Sequence, residues 1–218
     1  MAAFTQFYPL VEPWVPGCPR PLVLQQLYAV LQDFLSFSQI WQEDILTANV
    51  TSAQLPLTVA APAGTRVLQI RKVRSQNLST GNDAMLHPKT RDALRQWAPD
   101  WETLTGQDPY WFYTTGQSTF SVVPMPSGTL QLTATCALTI AQDGTATTMP
   151  DELFYEYSDG IAKGVIGRLL FMPNKAWSMP QSAATYEGGY AATRRRAKAT
   201  ADQDFNNGPI QVDLHRRF

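Results

Sequence analysis

Two groups of carboxylates are the side chains best placed by type and spacing to do chemistry: Asp151, Glu152 and Glu156, and Asp100 with Glu102. Glycoside hydrolysis needs two carboxyls facing each other across a cleft. Glu152 and Glu156 are four residues apart and share one face of a helix, so the simpler reading is charge on a first turn and a solvated face. His87 precedes Pro88 and reads as a turn residue. No GxSxG elbow is present, and neither Thr80-Gly81-Asn82 nor Gly188-Gly189 leads into GxxxxGK[ST], so no nucleophile elbow or phosphate loop is expected. The two cysteines, Cys18 and Cys136, are far apart, and His87 and His215 are the only histidines. A closed zinc site needs four ligands at tight spacing, so the cysteines read as buried thiols of a reducing compartment. No catalytic, cofactor-binding or metal-ligating residue is expected.

One cationic cluster remains, Arg194, Arg195, Arg196 and Lys198, at the end of an Ala-rich stretch. Cations suit the negative end of a helix dipole. The bland reading is a solvated helix end; the functional one is contact with nucleic acid or an acidic protein surface. Residues 194–218 hold six Lys/Arg against three Asp, a local surplus on a chain whose net charge is -1. No global positive field draws it to DNA.

Three helical stretches must position these groups. Residues 22–43 carry Leu24, Leu27, Tyr28, Leu31, Phe34, Leu35, Ser38 and Trp41 at helical spacing. Residues 151–172 carry Leu153, Phe154, Tyr157, Ile161, Val165, Leu169 and Leu170, with Asp151 and Glu152 in the first turn and Pro173 as a stop. Gly160, Gly164 and Gly167 form a second stripe there. Each costs about 1 kcal/mol against Ala, so close approach of a neighbouring helix should offset them. Residues 179–201 form the third, with Ser178 as its cap and Gly188-Gly189 as an interruption.

Residues 44–149 read as β-rich. Strands are expected near 45–51, 54–59 and 65–73, with a bulge near Leu68–Gln69, then a short helix at 89–97 started by His87-Pro88. A meander of 110–114, 119–123 and 129–140 follows, its last strand alternating Leu130, Leu132, Ala134, Cys136, Leu138 and Ile140. The start of the chain has prolines at 9, 13, 16, 19 and 21, which argue against a helix, and aromatic residues that argue against a floppy tail. After Ala201 the chain is polar, with spaced apolar anchors Phe205, Ile210, Val212, Leu214 and Phe218 and cations Arg216 and Arg217. Such a run cannot build its own core and reads as an arm that orders against another chain.

The expected fold is α+β: a three-helix bundle domain (1–43 and 150–201), a β-rich insertion domain (44–149) and extended N- and C-terminal arms, the latter 202–218. No signal peptide and no apolar run of 18 residues is seen, so no membrane span is expected. The charged fraction is 16%, well below the usual quarter, which suits a surface covered by partners.

The stretches FYPLVEPWVPGCPRPLVLQQL, PAGTRVLQIRKV, DPYWFYTTGQSTFSVVPMPSGTLQLTATCAL and PDELFYEYSDGIAKGVIGRLLFMPNKAWSMPQSAATYEGGY resemble the head-to-tail adaptor proteins of tailed bacteriophages. The corner LLFMPNKAWSMP is the most specific of them. The resemblance implies a structural virion protein, without cofactor or enzymatic activity, made in the host cytoplasm. Its copies, twelve in most members, would close into a ring below the portal protein and above a tail or nozzle protein, and genomic DNA would pass without sequence-specific contact. Residues that would touch the portal or a neighbouring copy are Arg194, Arg195, Arg196, Lys198, Phe205, Ile210, Val212, Leu214, Arg216, Arg217 and Phe218. The alternatives are a glycan-cleaving ring protein of the tail tube, or a nucleic-acid-binding module using the basic end of the last helix.

Overall fold

A computed structural model of the chain describes residues 1–51, 55–78, 80–141 and 144–203, with positions 47 and 48 as backbone only. The elements in chain order are β1 (Ala2–Ala3), α1 (Tyr8–Val11), α2 (Arg20–Ser38), β2 (Gln42–Val50), β3 (Leu57–Thr58), β4 (Thr65–Asn77), β5 (Asp83–Pro88) and α3 (Arg91–Trp97). They continue with β6 (Thr105–Gly106), β7 (Trp111–Thr114), β8 (Thr119–Val123), β9 (Met125–Pro126), β10 (Leu130–Ile140), β11 (Thr148–Met149), α4 (Asp151–Leu170) and α5 (Pro180–Asp202). The fold is α+β. The chain divides into two compact units, Met1–Ile40 with the residues from Thr147 onward, and Trp41–Ala146.

In the first unit α2, α4 and α5 pack against one another. Helix α2 buries Val23, Leu27, Val30, Leu31, Phe34 and Leu35, a stripe turned slightly from the expected one, so that Val23 and Val30 point inward while Leu24 and Tyr28 are only half-buried. Phe34 meets Tyr157 of α4 at 5.4 Å between ring centroids. The helix stops at Ser38, five residues short of the expected end. Gln39 takes a left-handed conformation (φ 53°) and its N–H closes the last turn on Leu35 O, at 2.9 Å. Trp41, expected on this helix, instead joins the sheet: its carbonyl accepts from the Leu138 N–H at 2.8 Å.

The glycine stripe of α4 faces α5. A Cβ on Gly160 would lie 2.5 Å from Thr193 Cβ, and one on Gly164 would lie 2.8 Å from Tyr190 Cδ2 and 2.9 Å from Val30 Cγ1. At Gly167 the neighbours are Glu187 Cγ at 3.1 Å and the Ala183 carbonyl at 3.4 Å. The close approach is therefore made by side chains at the first two positions and partly by backbone at the third. Helix α5 runs without a break through Gly188 and Gly189, contrary to the sequence expectation. Two glycines weaken a helix but do not end one when packing holds the flanking turns. Ser178 does not cap α5 either; its hydroxyl donates to Leu170 O at 3.5 Å, and Pro180 occupies the first turn.

The N-terminal prolines correct a second expectation. Phe4–Phe7 and Glu12–Trp14 are 3-10 turns on either side of α1, and Pro9 and Pro13 sit at first-turn positions, where a missing N–H leaves nothing unsatisfied. This segment lies on its own unit. Phe4 stacks edge-on to Tyr28 at 5.4 Å, Phe7 to Phe154 at 5.1 Å and Trp14 to Tyr186 at 5.8 Å. Strand β1 pairs with β11 just before α4.

The second unit is built on a seven-stranded sheet in the order β2-β10-β4-β5-β7-β8-β3, all neighbours antiparallel except β5 and β7. Strand β10 lies between β2 and β4, so the expected meander holds only for its first two strands: β8 pairs with β7 and β3 and not with β10. The alternation read from β10 is present, and Leu130, Leu132, Ala134, Cys136, Leu138 and Ile140 are all buried. Register slips opposite Leu68 and Arg71 mark two bulges in β4, the first where the broken alternation placed it. His87-Pro88 ends β5 rather than starting a helix; α3 begins after Thr90, whose hydroxyl accepts from the Ala93 N–H at 3.2 Å.

Candidate functional site

The cationic end of α5 is the cluster that the sequence singled out, and packing divides its four members. Tyr190 and Arg194 are one turn apart on α5, so both reach the same stretch of α2. There the lone acidic residue of α2, Asp33, receives both. The Tyr190 hydroxyl donates to Asp33 Oδ2 at 2.6 Å, with Val30 O at 3.2 Å, and Arg194 Nη1 donates to the same carboxylate oxygen at 2.7 Å. The Arg194 guanidinium also lies over the Phe37 ring at 4.3 Å. Burial, and then the hydrogen bond to Asp33 and its negative charge, raises the Tyr190 phenol well above its usual range. It is a poor proton donor to anything else. Arg194 is thus a tie between α2 and α5 and not a free cation.

Arg196 stands 3.6 Å from Glu156 of α4, and Lys198 pairs with Asp202 one turn on at 3.4 Å. Both pairs are solvent-exposed, the kind that contributes at most about 1 kcal/mol and is broken readily by a partner. Arg195 is exposed and makes no ion pair among the described residues. The arrangement therefore offers one cation ready for a partner and two that a stronger anion could recruit. Phe205, Ile210, Val212, Leu214, Arg216, Arg217 and Phe218 lie outside the described residues.

The carboxylates singled out by the sequence lie at the surface. Glu156 is paired with Arg196 and Asp151 with the Met1 ammonium at 2.5 Å, and these two, Glu152, Asp100 and Glu102 are all exposed. His87 is exposed at the end of β5. Cys136 is buried, and that burial pushes its thiol up to about 11, the opposite of what a nucleophile needs. Cys18 is half-buried and its thiol is likewise raised by burial. Among the described residues no three His, Cys, Asp or Glu side chains group closely enough to hold a metal ion, and no helix is long and apolar enough to cross a membrane.

Sequence reasoning missed Asp33 and gave Tyr190 no role. The available signal was that Asp33 is the one carboxylate on a helix otherwise lined by Gln25, Gln26 and Gln32. A single charge on a polar but uncharged face needs a partner, and Arg194 is its partner.

Both units also expose large apolar side chains. In the first these include Tyr155 (81% exposed), Phe171 (63%) and Met179 (57%); in the second, Leu46 (61%), Trp97 (54%) and Tyr110 (61%). Phe171 and Met179 both belong to the α4–α5 corner, where the Met179 N–H donates to Leu170 O at 3.0 Å.

A family model described as SU10 adaptor protein matches residues 19–213. No curated protein matches the chain.

Proposed function

The chain belongs to the SU10 adaptor protein family, a bacteriophage adaptor family, and on that premise we propose that it is a structural virion protein of the head-to-tail junction. Its copies, twelve of them, close into a ring with the portal protein above and a tail or nozzle protein below, and the genome passes through. The observation that carries this reading is the span of the family match, 19–213, which covers the whole second unit and most of the first. Two further observations support it. Large apolar side chains stay exposed on both units, as expected of surfaces meant for sister subunits. The exposed or weakly paired cations Arg195, Arg196 and Lys198 are suited to portal or neighbour contact, together with the segment from Phe205 to Phe218. A head-to-tail interface closes into a ring when its rotation permits, and many weak contacts then add to a firm grip on a matching ring.

A nucleic-acid module is the weaker reading. With Arg194 tied to Asp33, three cations remain, and three phosphate contacts give a salt slope of only about -3. Mixing the purified protein with its cognate portal and averaging electron micrographs tests the proposal. A second ring stacked on the portal with the portal's symmetry is expected. Portal particles that stay bare across protein concentrations into the tens of micromolar, on the order of weak interface affinities, would overturn it.

A further inference from the structure

The second unit contains a cleft of about 220 Å3. Its buried floor is formed by Trp101 and Val122, and its walls by Tyr113 and Met125, with Pro56 and Glu102 exposed at the rim. Trp101 and Tyr113 meet edge to face at 5.0 Å, and the Arg91 guanidinium lies 5.4 Å from the Tyr113 ring centre. The volume is below the roughly 300 Å3 at which small-molecule sites begin, and close to the size of one large side chain. The lining mixes aromatic and apolar side chains with the polar Ser121 and a single carboxylate, and Glu102 forms no ion pair among the described residues. Such a cleft recognises a bulky apolar side chain with a positive charge beside it.

The chain carries that combination itself. After Gln203 come fifteen residues ending His215-Arg216-Arg217-Phe218. At about 3.3 Å per residue a fully extended stretch of this length spans at most roughly 50 Å.

We propose that this cleft receives the C-terminal segment of a neighbouring copy, with Phe218 against Trp101 and Tyr113 and with Arg216 and Arg217 facing Glu102. The inference rests on the reading above that copies stand side by side. It makes the segment an inter-subunit strap, so that the ring is tied by a contact separate from its helical surfaces.

Photo-crosslinking in the full chain tests it. A heavy-isotope population carries p-benzoylphenylalanine at position 218, a light population carries none, and the two are mixed with portal, checked for rings by electron microscopy and irradiated. Mass spectrometry should find heavy tail peptides joined to light peptides containing Met125 or Leu55. Glu102→Lys in the light chain should lower that yield by about two- to five-fold, the scale of one exposed charge pair. Arg216→Glu with Arg217→Glu in the heavy chain should restore it. Adducts that map elsewhere, that join heavy to heavy only, or that ignore Glu102→Lys would overturn the strap. Rings that form without such adducts overturn the strap alone; no rings at all overturns both the strap and the adaptor-ring reading.

Discussion

Gly160, Gly164 and Gly167 on α4 and Gly188 on α5 all sit inside long helices, yet they meet different surroundings. The three on α4 are each pressed by a residue of α5, and at Gly160 an added Cβ would fall on top of Thr193. Gly188 faces open space, with nothing within 4 Å of where its Cβ would be. A helix glycine costs about 1 kcal/mol wherever it stands. On α4 close packing offsets that cost; at Gly188 the chain's own contacts do not. One helix face is committed to its own fold and the other is left open, and only the packed neighbours tell them apart.

The largest expected effect breaks the committed side. Gly160→Ala should destabilise the protein by about 1–3 kcal/mol in urea unfolding, because Thr193 cannot move away without shifting α5. Adding Thr193→Ala should recover part of that loss. A neutral Gly160→Ala would show that the two helices are not in this contact.

Tyr190, which covers Gly164, comes next. Tyr190→Phe should cost about 1–2 kcal/mol, the loss of its hydrogen bond to Asp33. Its pH dependence has a definite sign. Burial, and then Asp33, raise the folded phenol above the usual tyrosine value of about 10. Its contribution is therefore full below pH about 10 and is lost as pH rises further, when the unfolded phenol ionises first. Urea midpoints at pH 8 and pH 10.5 should fall further for the wild type than for Tyr190→Phe.

Gly188→Ala should move stability the other way, a gain of about 0.5–1 kcal/mol, since the helix gains propensity and meets no obstacle. A loss of similar size would mean that the open face is not open. Smallest of all is Arg196→Ala, at about 0.5 kcal/mol or less, because its pair with Glu156 is exposed and 3.6 Å long. A cost near that of Tyr190→Phe would place Arg196 with Arg194 as a structural tie.

These contrasts show what was legible in the chain before its folding was known. The face of α4, its acidic first turn and the demand of its glycines for a close neighbour follow from spacing and propensity alone. So does the inward alternation of β10. What failed depended on partners distant in sequence. The end of α2 turns on a left-handed Gln39, a conformation that no neighbouring glycine signalled. The place of β10 between β2 and β4, away from β8, is a choice among long-range pairings that local pattern does not encode. Prolines 9 and 13 looked like helix breakers because their first-turn positions were not evident. At the candidate site the cationic cluster was visible, but the pairing of Arg194 with Asp33 was not, since they lie 161 positions apart in the chain.

The adaptor role itself is tested most directly by cryo-electron microscopy of the intact virion at side-chain resolution. The account predicts a ring of this chain between portal and tail, with the aromatic corner around Phe171 and Met179 covered by another subunit. Density for this chain at any other place on the particle, or a neck built without it, would contradict the account.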